Sequence, residues 1–69
     1  MGKENKMVKV WYAVDENDEE FVYDGLPFRE ANFWDNNVYR WVLLPKGTIE
    51  KILGKKITWS DEPVEVEGE

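Results

Sequence analysis

The chain has 69 residues and a net charge of −6 at pH 7, with four tryptophans, three tyrosines and three phenylalanines but neither cysteine nor histidine. Those absences exclude disulfide staples and the usual ligands of a structural zinc, and they remove the commonest general base and the commonest activated nucleophiles. A single domain of this size buries only about 60% of the surface its unfolded chain exposes, so the large aromatics must supply much of the core.

Residues 1–6 are polar, lack a signal-peptide core and read as a tail; residues 7–66 read as one domain and 67–69 as a frayed acidic end. Val8 to Val14 is rich in β-branched and aromatic residues and predicts a strand, with Glu20 to Asp24 as its partner across Asn17-Asp18. A two- or four-residue loop sets Val14 opposite Phe21 and Tyr12 opposite Tyr23. Val8, Val10, Tyr12, Val14, Phe21 and Tyr23 then share one apolar face. Lys9, Trp11, Ala13, Glu20, Val22 and Asp24 take the other face, where Trp11 is either covered by Phe28 and Phe33 or exposed as a binding anchor.

Asp24-Gly25-Leu26-Pro27 predicts a turn. A second hairpin is expected at Asn36-Asn37, folding Ala31 to Trp34 back on Val38 to Leu44 with Trp34 opposite Tyr39. Arg40 argues that Tyr39, Trp41 and Leu43 point inward, although Val38, Val42 and Leu44 make the other face apolar as well, as in a strand buried on both sides. After Pro45, Thr48 is placed to cap a helix from Ile49 to Leu53, with Ile49, Ile52 and Leu53 at helical spacing and Gly54 as its stop. Ile57-Thr58-Trp59 reads as a short strand or extended anchor, and Val64 to Val66 as a final edge strand. The fold expected is α+β: a small twisted antiparallel β-sheet of three to five short strands with one short α-helix packed on it. The alternative is a small all-β barrel.

Catalysis has little to work with, since the only serine, Ser60, has no histidine to activate it. Asp15, Asn17 and Glu19 imitate the first ligands of a calcium loop, but Glu20 stands where that loop needs glycine and Leu26 where it needs glutamate. No glycine-rich phosphate loop occurs. The expectation is therefore a non-enzyme with no catalytic residues, no cofactor and no metal. No apolar run approaches the ~18 residues of a membrane span, which leaves a cytoplasmic protein with no membrane partner.

Charge is unevenly placed. Asp15, Glu16, Asp18, Glu19 and Glu20 form an acidic knot, residues 57–69 carry five acids and no base, and Lys46, Lys51, Lys55 and Lys56 face only Glu50 within 46–56. The knot is a candidate patch for a basic protein partner, by imitation of nucleic-acid phosphates, or else a solvated tip; Trp11 is the candidate aromatic contact. The four lysines are the candidate contacts of an alternative, a small nucleic-acid-binding domain, which the net charge disfavours.

Val10-Trp11-Tyr12-Ala13-Val14-Asp15, the run Leu44-Pro45-Lys46-Gly47-Thr48-Ile49-Glu50-Lys51-Ile52-Leu53-Gly54, and Ile57-Thr58-Trp59 with Asp61-Glu62-Pro63 resemble segments of small uncharacterised proteins of phages, prophages and gut-bacterial genomes. The resemblance covers under half of the chain and implies an accessory gene of a mobile element, with no activity or site carried over. The function expected is a non-catalytic interaction module that occupies the surface of a protein partner, as an accessory or inhibitor protein.

Overall fold

β1 (Val8–Val14) forms where the β-branched and aromatic run predicts it, and it becomes an inner strand of a four-stranded antiparallel sheet in the order β5-β2-β1-β6. The computed structural model describes residues 8–35 and 40–68. β2 (Glu20–Tyr23) and β5 (Trp41–Leu44) follow on one side, and β6 (Val64–Gly68) pairs on the other. β3 (Phe28–Arg29) and β4 (Trp34–Asp35) make a separate two-stranded ladder, and α1 (Thr48–Leu53) is the one helix among the described residues. A small antiparallel sheet with one short helix was expected, and the chain is mostly strand. The sheet is open between its β5 and β6 edges, so it is not the barrel held as the alternative.

The register of the first hairpin differs by one residue from the expected one. Ala13 pairs with Phe21, Trp11 with Tyr23 and Tyr12 with Val22. The cause is the loop, which has three residues: Asp15 N–H donates to the Glu19 carbonyl at 2.9 Å, Asp18 N–H returns to the Asp15 carbonyl at 2.9 Å, and Asp18 is left-handed at φ 71°. An aspartate tolerates that conformation better than most residues, which permits the odd loop. Because side chains alternate, the slip moves Phe21 and Tyr23 off the face of Val10, Tyr12 and Val14 and onto that of Trp11 and Ala13.

Each face therefore has its own small core. On the aromatic face, buried Ala13, Tyr23 and Trp34 pack with Trp11, Phe21 and Trp59. On the aliphatic face, buried Val14, Ile49 and Ile57 pack with Tyr12, Leu44, Leu53 and Val64. α1 closes the second face and the β3–β4 ladder part of the first.

The second hairpin is rearranged more deeply. Trp34 pairs with Arg29 in the β3–β4 ladder, while β5 joins the main sheet with Trp41 opposite Tyr23 and Leu43 opposite Phe21. Residues 36–39, which carry the expected Asn36-Asn37 turn and the Trp34–Tyr39 pair, lie outside the described residues, as do residues 1–7. β5 is an edge strand, and Trp41, Val42 and Leu43 are all about half exposed instead of buried on either face. Ile57 is a buried anchor without strand pairing, and Thr58–Asp61 is a turn in which Thr58 N–H donates to Asp61 Oδ2 at 2.7 Å. β6 continues past Val66 through Gly68, pairing Glu67 with Lys9 and Gly68 with Val8.

α1 begins one residue early, and Thr48 is its first helical residue instead of its cap, with its hydroxyl donating to the Pro45 carbonyl at 2.6 Å. Gly47 occupies the cap position at φ 91°, where a side chain would be strained. Gly54 ends the helix as expected at φ 76°, its N–H donating to the Glu50 carbonyl at 2.8 Å.

Candidate functional site

The acidic knot is divided between fold and surface. Glu20 caps the helix from a distant strand: its Oε2 accepts the Gly47 N–H at 2.7 Å and its Oε1 the Ile49 N–H at 2.9 Å. A carboxylate there satisfies two amides that a helix start otherwise leaves without partners. Asp15 is half-buried, and its Oδ1 accepts the Trp34 backbone N–H at 3.1 Å. Asn17, the second residue of the calcium-loop imitation, accepts the Glu19 N–H at 3.1 Å through Oδ1. Glu16 and Asp18 face solvent and Glu19 is half-buried, so the outward-facing part of the knot is smaller than its sequence implies.

The lysines lie around the helix. Lys46 and Lys56 line a cavity of about 220 Å³, but they share it with the carboxylates of Asp18, Glu20 and Glu50. Lys51 and Lys55 are exposed elsewhere. Lys46 and Lys56 are therefore offset locally by three carboxylates.

Trp11 lies on the aromatic face, partly buried against the cluster of Ala13, Tyr23 and Trp34, and opposite Tyr23 instead of Asp24. Phe28 and Phe33, its expected covers, are themselves 49% and 43% exposed, and Trp34 is the buried member of that segment. Trp34 is pinned by its indole N–H, which donates to the Val14 carbonyl at 3.0 Å in a buried position. Trp59 meets it edge-on at 5.6 Å, and the Arg29 guanidinium sits 4.5 Å above the Trp34 ring and 4.2 Å above that of Trp59.

Between this clamp and β5 the aromatic face is incompletely covered by the described residues. A groove of about 190 Å³ is lined by Asp15, Phe21, Tyr23, Phe33, Trp34 and Trp41. Tyr23 and Trp34, at 2% and 4% exposure, form its floor; Phe33 and Trp41, at 43% and 53%, form its rim. Phe21 bridges the two, tilted on Tyr23 at 6.1 Å and edge-on to Trp41 at 5.5 Å, the offset arrangements that aromatic quadrupoles prefer. Burial, and to a lesser extent the charge of Glu19, raise the Asp15 carboxyl above its ordinary value against the opposing effect of the Trp34 N–H. A raised folded-state value means that stabilisation by protonated Asp15 is present below about pH 3.8 and is lost as pH rises through the folded value. Burial first, and then the nearby Asp15 charge, push the Tyr23 phenol upward as well.

The sequence pattern points to a core for Phe21 and Tyr23 and to a surface patch for Asp15, whereas the fold brings the three to one groove. The available signal was Asp18, whose tolerance of left-handed geometry permits an odd loop. Comparison with protein families, curated proteins and solved structures finds no match for this chain.

Proposed function

We propose that this chain is a non-catalytic protein-interaction module, of the accessory or inhibitor kind carried by phages and other mobile elements, that occupies a partner's surface through β5 and the adjoining groove. One observation carries the reading: β5 is a sheet edge on which Trp41, Val42 and Leu43 are 53%, 57% and 52% exposed in succession. Exposed apolar edges are templates for an added strand, and proteins that do not use them protect them with charge, proline or bulges. The partner is an extended protein segment of basic character, suited to a chain of net charge −6. The resemblance of residues 44–54 to mobile-element proteins supplies the biological setting.

The test is parallel affinity capture with the original protein and with Val42→Lys, an edge charge at an exposed position that blocks strand addition without entering either core. A partner held by the first and lost by the second supports the reading. Equal capture by both refutes it. A mobility shift of DNA or RNA at moderate salt, abolished when Lys51, Lys55 and Lys56 become Glu, would establish the nucleic-acid alternative in its place.

A further inference from the structure

We propose that the groove is a receptor for one basic side chain, a lysine ammonium or arginine guanidinium on its alkyl stem, presented by the protein that docks on β5. This deepens the interaction reading and rests on it. Size is the first support: a volume of about 190 Å³ falls below the roughly 300–1,000 Å³ of small-molecule sites and suits a single side chain.

The second support is the kind of walls. Among the described residues, five aromatic side chains and one carboxylate line the groove, with no basic residue. Aromatic faces carry negative quadrupole charge and attract ammonium and guanidinium groups, while their apolar surface takes up the alkyl stem. This fold already uses the same chemistry within itself, because the Arg29 guanidinium rests on the Trp34 and Trp59 rings.

The third support is unused hydrogen-bonding capacity. Asp15 spends Oδ1 on the Trp34 N–H, and its Oδ2 has no hydrogen bond among the described residues. The Tyr23 hydroxyl belongs to a residue only 2% exposed and likewise has none, although buried phenols ordinarily find a partner. Asp15 and Tyr23 line the same groove, and no hydrogen bond joins them among the described residues. A cation with several N–H donors entering from the rim would serve both oxygens, and its charge would offset the burial of the Asp15 carboxylate.

The experiment follows the indole N–H signals of Trp34 and Trp41 by NMR as the protein is titrated with N-acetyl amides of lysine, arginine, citrulline and norleucine. Saturable shifts in the millimolar range with lysine or arginine are expected, with the uncharged citrulline and norleucine amides weaker by about 10-fold. Asp15→Asn retains an acceptor for the Trp34 N–H and should weaken the cationic amides by about 10-fold, while leaving the uncharged ones unchanged. Equal binding of charged and uncharged amides, or no saturable shift up to roughly 100 mM, would overturn the proposal. The two readings separate through Val42→Lys, which blocks the edge and spares the groove. Amide binding that persists in this variant while partner capture is also unaffected would sink the edge reading and leave the receptor standing.

Discussion

The two faces of the sheet are closed in opposite ways. The aliphatic face is covered by α1, and the carboxylate on that side, Glu20, is fully engaged with the helix start at 2.7 and 2.9 Å. On the aromatic face the cover is a ladder with strands of two residues each, and the second oxygen of the carboxylate there has no hydrogen bond among the described residues. On the helix side Glu20 is spent on folding, whereas the ladder side leaves a carboxylate oxygen without a partner among the described residues and aromatic rims exposed. In a chain with so little core, the second arrangement is tolerable only because Trp34 is held by two hydrogen bonds and an edge-on tryptophan.

The largest effects should come from the residue that anchors each cover. Ile49→Ala removes a side chain only 2% exposed from beneath α1, and Trp34→Ala removes one 4% exposed together with its indole bond to Val14. Each should cost about 3–5 kcal/mol, comparable to the whole stability of a domain this small, and leave the chain unfolded by circular dichroism and urea titration. Trp41→Ala, at the rim, should cost less than about 1 kcal/mol. If Trp34→Ala folded with a loss no greater than that of Trp41→Ala, the aromatic face would not be a core.

Those anchors also show how far the sequence could be read. β1, β2, the helix and the acidic final strand follow from local signals: β-branched runs, an i, i+3, i+4 triplet and an alternating Val-Glu repeat. The aliphatic half of the pattern, Val10, Tyr12 and Val14, was legible as one face. Phe21 and Tyr23 lie on the opposite face from the one expected, because loop parity decides the register and both parities suit Asn17-Asp18. Trp34 pairs backward with Arg29, supported by its tertiary bonds to Val14 and Asp15, and Trp41 to Leu44 pair with β2, while the expected Trp34–Tyr39 pair lies outside the described residues. Glu20 looked like one more surface acid because its partners lie 27 and 29 residues away. The groove, lined by residues of the turn after β1, of β2, of the β3–β4 ladder and of β5, depends on the first two of these outcomes.

A mid-sized effect should separate the two carboxylates. Glu20→Ala strands the Gly47 and Ile49 amides and should cost about 2 kcal/mol, with Glu20→Gln costing about half as much because one acceptor survives. Amide exchange at Ile49 should accelerate in both variants. Asp15→Asn, by contrast, should leave stability at neutral pH unchanged or slightly improved, since it removes a charge that burial opposes. Comparable losses at the two positions would mean that the aromatic face depends on its carboxylate as strongly as the helix does.

The smallest effect concerns the turn that assigns side chains to the two faces. In the three-residue loop only Asp18 is left-handed, at φ 71°, while the Asn17 side chain accepts the Glu19 N–H. Asp18→Gly should therefore stabilise the protein by about 0.5 kcal/mol, because glycine adopts that conformation without steric penalty. Asn17→Gly should destabilise it by a similar amount, about 0.5 kcal/mol, since it loses the local acceptor and gains unfolded-state entropy. A two-residue turn centred on Asn17-Asp18 needs positive φ at both positions and would make both substitutions favourable. Opposite signs in thermal denaturation thus report the odd loop, and with it the placement of Phe21 and Tyr23 beside Trp11. Two stabilising glycines would return those rings to the aliphatic side and remove the floor of the groove.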